Sequence, residues 1–165
     1  MKKRELDPAA EILQELTRDP AAEALVFQRL AEIYVARNDL PKAVKTLRDG
    51  LERAGKRPEL SLLLSRIYLK LEQFKDAQAA LERARADGAA DKDVAMLLGT
   101  CLGHQNDFAG AEREFQRALE AGYEPKIVKY NLALILVQRG EYVRGKELLE
   151  AALAIEPQWP EARRE

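Results

Sequence analysis

The sequence predicts an all-α fold of stacked helical hairpins, and three observations carry that expectation. The first is composition: 26 Ala and 25 Leu stand against 16 Val, Ile and Thr together in 165 residues, which favours the side chains that lose least rotamer freedom in a helix. The second is punctuation. Gly and Pro fall in Arg37-Asn38-Asp39-Leu40-Pro41, Ala54-Gly55-Lys56-Arg57-Pro58, Asp87-Gly88 and Ala121-Gly122-Tyr123-Glu124-Pro125, and such clusters stop helices after about 12 to 14 residues. The third is a repeat with a period of 34 residues, and a period of that length fixes the architecture of a chain. No stretch alternates apolar and polar residues with β-branched enrichment, so no strand is predicted.

The elements follow in order. Leu6, Ala9 and Leu13 fall in register with Leu40, Ala43 and Leu47, so residues 7–18 are predicted as a leading helix. Turns near 38–40, 55–57, 72–74, 88–91, 106–108, 122–125 and 140–142 then divide the chain into first and second helices. In the first helices Leu30, Leu64, Leu98 and Leu132 share a column, followed by the small residues Ala31, Ser65, Gly99 and Ala133 and then by Tyr34, Tyr68, Leu102 and Leu136. In the second helices Leu40, Phe74, Phe108 and Tyr142 align, as do Ala43, Ala77, Ala111 and Gly145, then Leu47, Leu81, Phe115 and Leu149, then Gly50, Ala84, Ala118 and Ala152. Small residues about two turns apart on one face let two helix backbones approach closely while the large ones fill the space beside them. Asp39, Gln73, Asp107 and Glu141 stand where each second helix begins, and an acceptor there suits the free N–H groups of a helix start. A hairpin alone cannot bury both of its faces, so the units must stack.

These columns resemble the tetratricopeptide repeat, with units at 24–57, 58–91, 92–125 and 126–159 and the leading helix in front, the whole of 1–165 forming one domain. The resemblance implies a right-handed α-α superhelix. Two columns depart from the family pattern. The Trp of the early first helix is replaced by Phe27, Ser61, Ala95 and Lys129, and the late Pro occurs only as Pro157, which implies weaker aromatic packing after the first unit. Pro160 to Glu165 begin a further first helix, and Leu148, Leu153 and Ile155 form an apolar stripe broad enough to expect a neighbour. Solenoids finish on a polar outer face, so this edge points to a segment of a longer chain or to a homodimer closed through the C-terminal edge.

Charge and composition narrow the function. The 27 Lys and Arg balance 28 Asp and Glu, which gives no electrostatic footprint for a nucleic-acid backbone. An RNA-processing helical repeat is accordingly disfavoured, and no nucleic-acid partner is expected. No apolar run approaches the length that spans a bilayer, and the basic start Met1-Lys2-Lys3-Arg4 has no apolar stretch behind it and is not expected to be a signal peptide. The single Cys101 falls in the core column of Ile33, Ile67 and Ile135, while His104, three residues on, shares a column with Ala36, Lys70 and Gln138. Two ligands leave a zinc shell half empty, so no metal or other cofactor is expected. The carboxylates are scattered among Lys and Arg along helix surfaces, no phosphate-binding glycine motif occurs, and no catalytic residues are assigned.

A binding surface remains. The resemblance implies that first helices line a concave groove, reached here by Leu25, Gln28 and Glu32 in the first unit and by Leu62, Arg66 and Leu69 in the second. The third unit supplies Met96, Leu97 and Thr100, and the fourth Ile127, Tyr130, Asn131 and Leu134. Family members that hold acidic chaperone tails do so with a Lys, Arg and Asn clamp. Those places carry Leu62, Leu97 and Ile127 or Gln28, Glu32, Leu63 and Asp93 here, so the clamp is absent. The partner expected is a protein or peptide segment of apolar or amphipathic character, with Asn131 bonding its backbone. The alternative is a structural spacer that docks through its open end.

Overall fold

The computed structural model describes residues 2–19 and 22–155. Among them are nine helices and no strand: α1 (Lys2–Leu16), α2 (Ala24–Ala36), α3 (Leu40–Ala54), α4 (Pro58–Lys70), α5 (Phe74–Ala86), α6 (Asp91–His104), α7 (Phe108–Glu120), α8 (Pro125–Gln138) and α9 (Tyr142–Ile155). The fold is all-α, as the composition and period require. Residues 160–165 and the predicted further helix lie outside the described residues. The leading helix differs from its predicted bounds of 7–18. It already runs at Lys2, carries Pro8 in its interior, and ends at Leu16, where the Arg18 and Asp19 amides donate three residues back, to Glu15 and Leu16.

Every hairpin turn is built in the same way, and the 34-residue period explains why. Asn38, Glu72, Asn106 and Gly140 occupy one column and all adopt the left-handed conformation, with φ of 61°, 58°, 63° and 86°. The next residue's N–H donates to the carbonyl five positions back: Asp39 to Tyr34 at 2.8 Å, Gln73 to Tyr68 at 2.9 Å, Asp107 to Leu102 at 2.9 Å and Glu141 to Leu136 at 2.8 Å. This is a Schellman ending, which satisfies carbonyls that the helix terminus would leave unpaired. The same residue then starts the second helix. The Asp39 carboxylate accepts from the Lys42 N–H at 3.3 Å and that of Asp107 from the Gly110 N–H at 2.9 Å. One acidic side chain thus closes one helix with its backbone and caps the next with its carboxylate. The Lys42 ammonium, 2.7 Å away, also holds the Asp39 carboxyl below its usual range.

By contacts the chain divides into two compact units, Met1–Ala89 and Ala90–Glu165. In the first, α2 packs with α3 and α4 with α5 as hairpins, α3 and α2 both touch α4, and α1 lies on α2. In the second, α6 pairs with α7 and α8 with α9, while α7 and α6 both touch α8. The core of the first unit gathers Leu30, Tyr34, Leu47, Leu51, Leu60, Leu64 and Ile67, and that of the second Ala111, Phe115, Ala118, Val128 and Ile135. Small-residue columns are buried in both.

Sizes are matched between columns. A Cβ on Gly50 would lie 2.7 Å from Cβ of Phe27, and one on Gly99 2.7 Å from Cδ1 of Phe115. Each is closer than real atoms approach, so the two large rings are admitted only because a glycine faces them. Where the large partner shrinks to Leu47 or Leu81, the facing residue grows to Ala31 or Ser65. Polar ties reinforce the hairpin ends. Arg83 donates to the carbonyls of Leu51 and Gly55 at 3.2 and 3.3 Å, closing the end of α3, and Arg117 donates to Asp91 at the start of α6 at 2.7 Å.

Candidate functional site

Side chains at i, i+4 and i+7 share one face of a helix, and this places Leu62, Arg66 and Leu69 in a row on α4. Leu62 and Leu69 are half-buried and Arg66 is exposed. Leu63 beside them packs against the core. On α2 the row changes character. Leu25 is 53% exposed, while the Gln28 amide donates to Glu32 at 2.9 Å and Arg29 pairs with the same carboxylate at 2.9 Å. The Glu32 charge is therefore already compensated within its own helix. In the first unit, then, a polar strip on α2 stands beside an apolar strip on α4.

In the second unit Leu97 of α6 and Ile127, Tyr130, Asn131 and Leu134 of α8 are half-buried. The Thr100 hydroxyl donates to the Met96 carbonyl at 3.1 Å, and the Asn131 amide nitrogen to the Ile127 carbonyl at 2.8 Å. One N–H of the Asn131 amide is thus used inside α8, and the amide keeps a second N–H and its Oδ1. Met96 corrects the sequence reading: it is 6% exposed and packs in the core with Ala95, Phe115 and Val128. An unbranched, flexible Met side chain suits such an irregular core site.

Cys101 is wholly buried, and burial pushes its thiol up to about 12. A thiolate is the form that ligates or attacks, so this sulfur is core material. His104 is exposed, and among the described residues no group of three or more His, Cys, Asp or Glu is placed to hold a metal. No described helix is long and apolar enough to cross a membrane. At the C-terminal edge Leu148 and Leu153 are half-buried and Ile155 is 50% exposed.

Sequence reading missed the beginning of α9, where Tyr142 is 68% exposed and Val143 more so. Tyr142 shares a column with Leu40, which is buried, and with Phe74 and Phe108, which are half-buried. The column is therefore covered in the earlier repeats and bare in the last, and column membership by itself did not reveal this. A charged cluster stands nearby: Arg144 reaches Glu112 at 3.1 Å and Glu141 at 2.5 Å, and Arg139 reaches Glu141 at 2.9 Å. Glu141 and Glu112 together raise the Arg144 guanidinium above its ordinary value.

Comparison with known proteins agrees with this geometry. The family model described as Tetratricopeptide repeat matches residues 62–122 and 102–162. Tetratricopeptide repeat protein 21B of Homo sapiens is 27% identical over 154 residues, which is 93% of this chain and 12% of that protein. The mouse protein of the same name is 25% identical over 152 residues, 92% of this chain and 11% of its own length. The chain thus spans about an eighth of the curated relatives it matches. Among solved structures, YrrB, a TPR protein with an unusual peptide-binding site, superposes with a TM-score of 0.82 at 23% identity, covering 98% of this chain and 83% of that one. MamA from Desulfovibrio magneticus RS-1 gives 0.82 at 19% identity, covering 94% and 88%. At these identities the structures speak for the fold.

Proposed function

The chain belongs to the tetratricopeptide repeat family, and from that premise we propose that the first-helix faces of its two units are docking faces for a segment of a partner protein, held by apolar anchors. The family fold is an interaction scaffold. The observation that carries the finer reading is the half-exposed apolar row on first helices, Leu62 and Leu69 in one unit and Tyr130 and Leu134 in the other. Apolar side chains left partly in water in a row are the mark of an interaction surface, and Tyr on such a surface adds contact area with a polar tip. Charge gives a second support. Glu32 is paired within α2, and no Lys and Asn clamp stands on these faces to receive an acidic terminus. YrrB, the structural neighbour with a peptide-binding site, lends the reading plausibility at the level of the fold.

A rigid, preformed face binds at low reorganisation cost, and an amphipathic helix or extended segment supplies anchors at the right spacing. The test compares an amphipathic peptide carrying Leu at i, i+3, i+4 and i+7 with an acidic peptide ending in a free carboxylate. The first should bind more tightly, and its affinity should change little as salt rises, since apolar burial is not screened. Preference for the acidic peptide, or loss of binding in moderate salt, would refute the reading. A second reading, self-association, is favoured by the exposed Ile155 beside Leu148 and Leu153. Light scattering after size exclusion tests it: Leu153→Glu should abolish a dimer, and a monomeric wild type would dispose of the idea.

A further inference from the structure

In the first unit the second helices α3 and α5 leave a cleft of about 320 Å3 between them. Leu51 and Ala80 form its walls, Arg83 stands at one end, Ser61, Leu64 and Tyr68 of α4 lie along its floor, and the exposed Arg48, Glu52 and Asp76 complete the lining. The same cleft recurs one repeat earlier, between α1 and α3, over Phe27, Leu30 and Tyr34. Two of the three floor positions are thus unchanged. The third is an aromatic ring in the first repeat and a serine in the second.

Ser61 is fully buried, and its Oγ has no hydrogen-bond partner among the described residues. Its neighbour Ser65, equally buried, shows what normally happens, since that hydroxyl donates to the Leu62 carbonyl at 2.7 Å. A buried hydroxyl left unpaired is costly, and this one borders an open cleft. The buried Leu51 and Ala80 offer a ring apolar contact. The neutral, unpaired Ser61 hydroxyl at the floor suits a polar tip able to donate and accept, while the charged lining residues stand at exposed positions. Arg83 cannot swing in to fill the space, being tied to the carbonyls of Leu51 and Gly55. We propose that the cleft between α3 and α5 is a second docking site, which takes a tyrosine side chain from a partner segment and pairs its phenol with the Ser61 hydroxyl. The ring then occupies, from outside, the kind of place that Phe27 occupies from within one repeat earlier. This site lies on second helices and stands or falls separately from the first-helix faces.

The experiment is a heteronuclear NMR titration of the whole chain with p-cresol and with toluene, the two probes differing by the hydroxyl alone. Saturable shifts should appear at Ser61, Leu64 and Tyr68, with p-cresol bound about five- to tenfold more tightly than toluene, the worth of one neutral hydrogen bond. Ser61→Ala should leave the circular dichroism unchanged and erase that preference while toluene still binds. Ala79→Glu, on an exposed position that lines the cleft, should weaken both probes and leave the circular dichroism unchanged. Absence of saturable shifts at these residues overturns the proposal, as does a preference for p-cresol that survives in Ser61→Ala.

Discussion

At the scale of single residues, burial governs Cys101 and backbone conformation governs Glu72. Burial pushes the Cys101 thiol up to about 12 from its ordinary value of 9.0. Two consequences follow. A disulfide reagent at pH 8 should label it only as fast as the protein opens, and immediately in denaturant; rapid labelling of the native chain would show that this position is not core. Because the folded value is raised, the stabilising contribution is intact below pH 9 and is lost as pH climbs from 9 toward 12, where the unfolded chain gives up its proton first. Glu72 holds a φ of 58° that Asn38, Asn106 and Gly140 share at the other turns. Of the four it is the residue least suited to the left-handed region, which costs a side chain roughly 1–2 kcal/mol. Glu72→Gly should therefore stabilise the fold by up to about 1 kcal/mol after the entropy cost of glycine, read as a raised urea midpoint. A lowered midpoint would mean that the Glu72 side chain makes a contribution outside its own turn.

At the scale of elements, the hairpin is a problem of matched sizes. Gly99→Ala forces a methyl within 2.7 Å of Phe115 and should cost about 1–3 kcal/mol by overpacking. Adding Phe115→Leu recreates the small-with-Leu pair that Ala31 and Leu47 form in the first repeat, and should recover part of the loss. A double-mutant cycle with no coupling would mean that the two columns do not face each other. Ala118→Leu, at a fully buried position, should cost a similar amount, while Gln116→Leu on the exposed side is tolerated. Much of this was legible in the sequence. The helices, the turn positions and the small-residue columns follow from period and punctuation, because backbone geometry repeats even where side chains change. Orientation finer than a column was not legible. Met96 shares its column with half-buried residues yet lies in the core with Ala95, Phe115 and Val128. The Phe27–Gly50 and Phe115–Gly99 exchanges become readable only when two columns are taken jointly. The α3–α5 cleft announced itself only as a serine where the first repeat carries Phe27.

At the scale of the whole molecule, stability is a sum over neighbouring repeats. Removing residues 92–125, one full period, should leave a folded and less stable protein, whereas removing half of it should not; loss of helical signal in the whole-repeat deletion would contradict the assignment. The proposed binding belongs to this scale too, because the proposed rows draw side chains from more than one helix. The central claim is that these rows bind by apolar anchors on the first helices. Calorimetry tests it most directly, using the tightest peptide selected from a library of amphipathic sequences, against wild type, Leu69→Glu, Tyr130→Glu and the exposed second-helix control Gln116→Glu. The account predicts a fall of tenfold or more in affinity for at least one of the two first-helix variants, according to which unit the peptide occupies, and none for the control. Unchanged affinity in both Leu69→Glu and Tyr130→Glu would contradict it.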